Sequence, residues 1–240
     1  MRYAPEHEMT YRDRWGYRRI ALLSDEMEAY GFTGVPVLPD YVARYIKPGD
    51  WVVDVGANVG RATAQLCHLT GPGGLVWAIE PVPRNLSRLR YLKEQNNLRQ
   101  LVIFEGALAS RSGTASLRLP VEANSGHASF TRSWGVAGLI TVSTWSLDDL
   151  TCKMRDKHNR SMAFLKIDVE DYEPQVLTGA KRTLEEMRPL VLCEFNDILL
   201  RDAGSSSQQL LNMFEALGYS PVTEPPPLEG KVVDLLLAAR

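Results

Sequence analysis

The chain has 240 residues, 45% of them hydrophobic and 23% charged, and its formal net charge is −2 at pH 7. A chain of this length and composition can bury a sizeable core, so we expect one globular domain rather than a disordered or fibrous protein. The near balance of 27 basic and 29 acidic side chains gives no global attraction to nucleic acid or to an anionic membrane surface.

The cysteines and the apolar runs indicate the compartment. Cys67, Cys152 and Cys193 are far apart, odd in number and without CxxC pairing, which argues against a disulfide framework and against a zinc site. No run approaches the length of a membrane-spanning helix, and the N-terminus lacks the apolar segment of a secretory signal. We therefore predict a soluble, cytoplasmic protein without membrane insertion.

The chain begins with a polar segment and continues with alternating strand and helix patterns. Residues 1–35 are rich in Tyr and Arg, and we expect a partly helical extension that acts as a lid or contacts a partner. Residues 36–240 are expected to form a single domain, with one or two short strands in the polar stretch 106–133. The predicted strands are 51–55, 75–79, 101–104, 140–143, 163–168, 190–195 and 232–238. The predicted helices are 37–46, 61–69, 83–95, 147–154, 174–187 and 206–217.

This alternation predicts the fold class. Strands that alternate with helices of ten or more residues form βαβ units, whose strands pair in parallel. The apolar runs of β-forming residues also resemble strands that are buried on both faces. The sequence therefore predicts an α/β fold with a Rossmann-like, doubly wound, mostly parallel sheet of about seven strands.

The loop after the first strand of this sheet has the pattern D-x-G-x-N-x-G, formed by Asp54, Gly56, Asn58 and Gly60. Ligands of open α/β sheets bind at the carboxyl ends of the strands. Glycines without a Cβ let the backbone turn tightly and approach a ligand, and the next helix offers free N–H groups. Asp54 suits the ammonium group of an amino-acid ligand, bound directly or through water.

Glu80, the last residue of the next predicted strand, is the second element of the pattern. A carboxylate at this place can accept hydrogen bonds from both ribose hydroxyls of an adenosine ligand. The glycine spacing differs from the dinucleotide pattern G-x-G-x-x-G, in which the extra glycine accommodates a pyrophosphate. An adenosine with an amino-acid tail fits better. The alternative is a structural strand–turn–helix junction without a ligand.

With these residues, the chain resembles the FkbM-type methyltransferase family. The resemblance rests on separated blocks in a fixed order, which together span about residues 50–196. The blocks are VVDVGANVGRAT at 52–63, AIEPVPRN at 78–85, EGALASRSG at 105–113, VSTWSLDDL at 142–150, FLKIDVEDYEPQVLTGA at 164–180 and RPLVLCEF at 188–195.

The resemblance implies a class I methyltransferase fold and methyl transfer from S-adenosylmethionine, usually to a hydroxyl oxygen of a small molecule or sugar. By position in the motifs, it assigns Glu80 to the ribose and Ala107 to the adenine. It assigns four residues to the methionine end: Asp54, Gly56, Asn58 and Gly60. The chain departs from the family pattern after Glu170, where Asp171 stands in place of the usual glycine. We expect this bulkier residue to reshape the acceptor pocket.

The candidate catalytic residues cluster at two strand ends. Lys166, Asp168 and Glu170 lie at the end of the predicted strand 163–168 and would share one face of an extended strand, and Glu194 ends the next strand. A carboxylate here suits a general base or a group that orients the acceptor hydroxyl. Two alternatives remain open: a site for Mg²⁺ or Ca²⁺, which we favour less, or a structural salt bridge from Lys166 to Asp168 or Glu194.

His127, in a polar loop, is a further candidate base because imidazole titrates near neutral pH, although a surface loop histidine is the simpler interpretation. Two other functions remain open. A nicotinamide-dependent oxidoreductase would share the strand, the glycine loop and the acidic residue, but the chain lacks a Tyr-x-x-x-Lys pair. A non-catalytic binding module would keep the ligand site without turnover. We predict a small-molecule or sugar acceptor and no nucleic-acid partner, and we leave homo-oligomerisation open.

Overall fold

The structure is a computed structural model that describes residues 8–22, 37–120, 128–131, 136–158 and 160–240. The strands are β1 (Glu8–Arg12), β2 (Arg18–Leu22), β3 (Trp51–Val55), β4 (Leu75–Glu80), β5 (Leu101–Glu105), β6 (Ala107–Leu108), β7 (Gly113–Pro120), β8 (Val136–Trp145), β9 (Met162–Ile167), β10 (Leu190–Asn196), β11 (Tyr219–Pro221) and β12 (Val232–Ala239). The helices are α1 (Asp40–Ala43), α2 (Arg61–Thr70), α3 (Pro83–Gln95), α4 (Leu147–His158), α5 (Glu173–Thr178), α6 (Lys181–Met187), α7 (Asp197–Asp202) and α8 (Ser207–Ala216).

A seven-stranded sheet in the order β11-β12-β10-β9-β3-β4-β5 forms the centre of the molecule. The five strands from β10 to β5 run parallel, whereas β12 is antiparallel to both of its neighbours. The chain order reverses between β3 and β9, so a crevice is expected at their carboxyl ends. The predicted α/β, doubly wound, mostly parallel fold is confirmed.

Both faces of this sheet are buried. Every residue of β3 is buried, and its side chains alternate between two apolar clusters. Val53 and Val55 join the cluster that includes residues of α4, α5, α6 and α8, whereas Val52 joins the cluster with α2 and α3. Burial on both sides explains why every residue of β3 except Asp54 is apolar, instead of every second one.

Two smaller β-structures flank the central sheet. β6, β7 and β8 form a three-stranded sheet after β5, and β1 pairs with β2 in an antiparallel hairpin. The hairpin corrects the prediction of a partly helical N-terminal segment for residues 8–22. Its turn is fixed by Asp13, whose Oδ1 accepts hydrogen bonds from the backbone N–H groups of Trp15 and Tyr17, at 3.0 Å each.

Several other boundaries differ from the prediction. The helix expected over 37–46 is only the single turn α1, and the strand expected over 140–143 extends to the ten residues of β8. The helix expected over 174–187 is divided into α5 and α6 at Gly179, where a Cβ would lie 2.1 Å from the carbonyl oxygen of Ala109. In the described part of the chain, no helix has the length and apolarity needed to cross a membrane.

Candidate functional site

A cavity of about 180 Å³ opens at the carboxyl ends of the parallel strands. It lies beside the point where the chain order of the sheet reverses, as the fold predicts. Most of the predicted site residues line it together: Gly56, Asn58, Glu80, Ala107, Lys166, Asp168, Glu170 and Glu194. Of the other candidates, Asp54 and Gly60 do not line the cavity, and His127 lies outside the described residues.

Asp54 is fully buried behind the cavity wall rather than exposed to a ligand. The hydroxyl of Thr63 donates a 2.6 Å hydrogen bond to its Oδ2, and Nζ of Lys166, its cross-strand neighbour, lies 3.8 Å from Oδ1. Burial raises the pKa of Asp54, although Lys166 and Thr63 oppose this shift. The structure therefore connects Asp54 to the cavity through Lys166.

The two glycines of the loop are required by packing within the protein. Gly56 has a φ of +78°, and a Cβ there would lie 1.8 Å from the carbonyl oxygen of Asp168. Gly60 has a φ of +82°, and a Cβ there would lie 2.7 Å from Cδ2 of Leu89. The backbone of Asp168 thus excludes a side chain at Gly56, and the left-handed φ disfavours one at Gly60. Close approach of a ligand to these glycines stays a prediction.

Hydrogen bonds tie the glycine loop to the end of β4. The N–H groups of Gly56 and Ala57 both donate to the carbonyl oxygen of Ile79, at 3.1 Å. The N–H of Asn58, a residue with a φ of +51°, donates to Oε2 of Glu80 at 2.8 Å. The loop and the predicted ribose-binding carboxylate are therefore joined by hydrogen bonds into one unit.

Glu80 is only 3% exposed, and its carboxylate faces the cavity. Its Oε1 accepts hydrogen bonds from the N–H of Val82 at 2.9 Å and from Nδ2 of Asn85 at 3.1 Å. Burial raises the pKa of Glu80 to about 7, although these donors and the N–H of Asn58 lower it. A carboxylate has about four acceptor positions, and these three donors leave about one of them, on Oε2, for a hydroxyl group of a ligand.

At the other end of the cavity, β9 stops at Ile167 and a tight turn follows. We predicted that Asp168 and Glu170 would continue one face of this strand, but they do not. Both reach the cavity from the turn, in which Glu170 has a φ of +53°. Nζ of Lys166 lies 2.8 Å from Oδ2 of Asp168. Burial lowers the pKa of Lys166, but Asp168 and Asp54 outweigh it and raise the pKa above its ordinary value, so Lys166 is a cation.

Two further carboxyl groups surround this turn. Burial, with Asp168 and Glu170 nearby, raises the pKa of Glu194 to about 9, so Glu194 is protonated at neutral pH and can donate a hydrogen bond. Glu173, which the sequence analysis did not single out, is 1% exposed and accepts a 3.1 Å hydrogen bond from the N–H of Val169. This hydrogen bond ties the turn to the first residue of α5. The sequence could have indicated Glu173, because it lies in the family block at 164–180.

Two aromatic rings form part of the cavity wall. The rings of Phe130 and Tyr172 both line the cavity, and their centroids are 4.5 Å apart. Ser129 and Asp171, which precede these two aromatic residues in the chain, are also in contact: the hydroxyl of Ser129 donates a 2.9 Å hydrogen bond to Oδ2 of Asp171. Asp171 has a φ of +85°, in the left-handed region that favours glycine, which explains the usual family residue there.

The charges that line the cavity come close to balance. Four carboxyl groups, from Glu80, Asp168, Glu170 and Glu194, share the cavity with Lys166 and Arg61, but Glu194 is protonated at neutral pH and Lys166 is paired with Asp168. The carboxylate of Glu170 and the ionised form of Glu80 are the groups that a sulfonium or ammonium group could contact. Within the described ranges, no three His, Cys, Asp or Glu side chains are grouped so that they could hold a metal ion.

Comparisons with known proteins identify the family and the fold. The family model of the methyltransferase FkbM domain matches residues 54–221. A crystal structure of the FkbM methyltransferase from Methylobacillus flagellatus is 19% identical, with a TM-score of 0.50 over 86% of this chain and 46% of that chain. The chain thus spans about half the length of that relative, and the likeness shows the fold. Among curated proteins, no sequence matches this chain significantly.

Two other structures were solved with a ligand. Aeropyrum pernix fibrillarin with natively bound S-adenosyl-L-methionine is 14% identical, with a TM-score of 0.49 over 100% of this chain and 84% of that chain. The O-methyltransferase from Bacillus cereus in complex with SAH is 10% identical, with a TM-score of 0.49 over 88% of this chain and 85% of that chain. Because the FkbM model matches well over half of the sequence and the predicted fold is present, the chain belongs to the FkbM family of S-adenosylmethionine-dependent methyltransferases.

Proposed function

We propose that this chain transfers the methyl group of S-adenosylmethionine to a hydroxyl oxygen of a small molecule or a sugar. The observation that carries the proposal is the arrangement of one continuous cavity. Asn58 and Glu80 line one part of it, and Asp168, Glu170 and Glu194 line another. A donor held at the first part would place an acceptor against the carboxyl groups of the second.

The donor end has a defined set of proposed contacts. The carboxylate of Glu80 accepts a ribose hydroxyl, and Ala107, which is 7% exposed, flanks the adenine. Asn58 and Gly56 line the methionine end. We assign Asp54 and Gly60 an indirect role, because Asp54 acts through Lys166 and Gly60 begins helix α2 against Leu89.

The reaction needs little covalent chemistry from the protein. S-adenosylmethionine supplies an electrophilic methyl group, whose bond to sulfur breaks as its bond to the acceptor oxygen forms. The acceptor hydroxyl becomes strongly acidic as this new bond forms, so an ordinary carboxylate can take its proton. The main tasks of the chain are to hold the acceptor in line and to receive this proton.

Asp168 is the residue that we assign to the proton transfer. Its side chain is 37% exposed and lines the cavity, and the 2.8 Å contact with Nζ of Lys166 fixes its orientation. Glu194, protonated at neutral pH, is assigned to donate a hydrogen bond to the acceptor, and Glu170 to orient it from the turn. A catalytic role for His127, a cytoplasmic location and homo-oligomerisation stay predictions.

A screen of acceptors tests this proposal. The purified protein is incubated with S-adenosylmethionine and a panel of sugars and hydroxylated small molecules, each matched with its amino analogue, and formation of S-adenosylhomocysteine is measured. We expect turnover with hydroxyl compounds and a methyl ether as the product, identified by mass spectrometry. Turnover with the amino analogues alone, or with no hydroxyl member of a broad panel, would contradict oxygen as the acceptor atom.

A further inference from the structure

The N-terminal hairpin contributes a buried guanidinium group to the glycine loop. Arg19, in β2, is 4% exposed and lies outside the 54–221 range of the family model. Its Nη2 donates to the carbonyl oxygen of Val59 at 2.6 Å, and its Nη1 donates to that of Gly60 at 3.0 Å. Both acceptors are carbonyl oxygens of the last two residues of the loop 56–60, which lies at the donor end of the cavity.

The buried charge of Arg19 is paired and hydrogen-bonded within the protein. A buried cation is costly unless it is paired and hydrogen-bonded. Asp13 supplies the pairing charge: its Oδ2 lies 3.7 Å from Arg19, and both side chains are nearly inaccessible, at 7% and 5% exposed. The other oxygen of Asp13 fixes the hairpin turn through Trp15 and Tyr17. The hairpin is therefore organised around the Asp13–Arg19 pair.

Contacts with helix α3 hold the hairpin in place. The side chain of Asn96, which follows α3, accepts a 2.7 Å hydrogen bond from the N–H of Arg18 and donates a 3.0 Å hydrogen bond to its carbonyl oxygen. Arg88 of α3 forms a 2.7 Å ion pair with Glu8 of β1. Since α3 also packs against Gly60 through Leu89, the position of Arg19 relative to the loop is fixed.

Arg19 binds the end of the loop where helix α2 begins, and there the carbonyl oxygen of Gly60 also accepts a 3.0 Å hydrogen bond from the N–H of Ala64. The N–H groups of Gly56, Ala57 and Asn58 are bound by the end of β4. Arg19 binds carbonyl groups at the opposite end of the same loop, and the planar guanidinium can reach both of them at once. Val59, one of its two partners, itself lines the cavity.

We infer that Arg19 is a positioning residue for the methyl donor, which keeps the loop 56–60 in the shape that binds the methionine end. The inference rests on the donor role that we propose for this loop. It also gives the N-terminal hairpin a function within the active site itself, distinct from the lid or partner contact that the sequence suggests.

The inference is tested by calorimetric titration of the full chain with S-adenosylhomocysteine, together with hydrogen–deuterium exchange of the loop amides. Arg19→Met removes both hydrogen bonds and the charge, whereas Arg19→Lys keeps the charge and one donor group. Tyr219→Phe is the matched stability control. Tyr219 lies in β11, four positions away from β3 in the sheet. The change removes the hydrogen bonds that its buried hydroxyl donates to the carbonyl oxygens of Leu184 and Pro189.

We expect Arg19→Met to bind S-adenosylhomocysteine about tenfold more weakly, equivalent to about 1.4 kcal/mol, and to exchange the amides of residues 57–60 faster. Arg19→Lys should recover part of the affinity, and it provides the measurement if Arg19→Met does not fold. Tyr219→Phe should lose stability but keep the affinity and the exchange rates of the loop. Wild-type affinity and exchange in the Arg19 variants would overturn the inference, as would an equal loss of affinity in Tyr219→Phe. Failure of the unchanged protein to bind would instead contradict the donor site.

Discussion

The hydroxyl of Ser129 donates a hydrogen bond to the carboxylate of Asp171, a residue held at a φ of +85°. Both residues are buried, at 1% and 4% exposed. The contact fastens the segment 128–131 to the turn after β9, and it places Phe130 beside Tyr172 on the cavity wall. A residue with an unfavourable backbone conformation thus supplies the anchor for the side of the site that we assign to the acceptor.

Ser129 and Asp171 should be energetically coupled. In the wild-type protein, Asp171→Gly relieves a left-handed strain of about 1 kcal/mol but loses the hydrogen bond from Ser129. In a Ser129→Ala background that bond is already absent, so Asp171→Gly should be less costly there by roughly 1 kcal/mol. Urea unfolding of the two single variants and the double variant measures this difference. Strictly additive free energies of unfolding would show that the two residues do not act together.

The affinity for the donor should depend on the ionisation of Glu80. Ribose hydroxyls donate to a carboxylate, so binding favours the ionised form of a group whose pKa is about 7 in the free protein. As the pH falls below this value the protonated fraction grows, and the affinity should fall by roughly tenfold per pH unit. Calorimetry with S-adenosylhomocysteine between pH 5.5 and 8 measures the effect.

Glu80→Gln is the control for this pH dependence, because an amide does not titrate in this range. Its affinity should vary little with pH. Glu80→Ala, which removes the hydrogen bonds entirely, should weaken binding at pH 8 by about 1–3 kcal/mol. Unchanged affinity in Glu80→Ala would remove Glu80 from the ribose site.

Asp168→Asn should separate donor binding from turnover. The amide keeps the shape of the side chain but cannot take the proton from the hydroxyl group of the methyl acceptor, so kcat should fall by a factor of about 10²–10⁴. The affinity for S-adenosylhomocysteine should stay within a few-fold of wild type. Asp202→Asn, a change at an exposed carboxylate that ends α7, is the matched control and should keep full activity. Full activity in Asp168→Asn would exclude Asp168 from the proton transfer.

Asp197 should be a major source of stability far from the chemistry. Its carboxylate accepts hydrogen bonds from the N–H groups of Ser207 and Gly230, both at 2.8 Å, and from Nε of Arg201 at 2.7 Å. Arg201 and these amides lower the pKa of Asp197 well below its ordinary value. Asp197→Ala should therefore reduce the free energy of unfolding by about 2–3 kcal/mol at pH 7.

The sign of its pH dependence follows from the lowered pKa. The ionised carboxylate is favoured in the folded state, so its contribution is fully present above the unfolded pKa of about 4. The contribution is lost as the pH falls towards the lower pKa of the folded state. The difference between wild type and Asp197→Ala should accordingly shrink between pH 5 and pH 2.5 in urea titrations. A difference that is constant over this range would contradict the account of Asp197.

The central sheet could be predicted because burial on both faces leaves strands in which consecutive residues are apolar, as in β3, where Asp54 is the single exception. The hairpin could not, because β2 carries Arg19 at an inward position and so lacks the apolar alternation of a surface strand. The helix expected over 174–187 has one apolar stripe in both halves. Its break depends on the approach of Ala109 to Gly179, a tertiary contact.

The site was predictable to a similar extent. Carboxyl ends of parallel strands meet at one edge, so the gathering of Glu80, Asp168 and Glu194 follows from the sheet. The burial of Asp54 does not follow, because its register opposite Lys166 is set by the pairing of β3 with β9. The turn at Asp171 was also hidden, since an aspartate does not reveal a positive φ as a glycine does.

The most direct test of the account is a thermal-shift titration of the chain with S-adenosylmethionine, S-adenosylhomocysteine, NADH and NADPH. A ligand at a hundred times its dissociation constant adds about 2.7 kcal/mol to the stability of the folded state, which is readily measured. We predict stabilisation by the two sulfur compounds and none by the nicotinamides. Stabilisation by NADH or NADPH, or no response to S-adenosylmethionine and S-adenosylhomocysteine, would contradict the assignment of this cavity to a methyl donor.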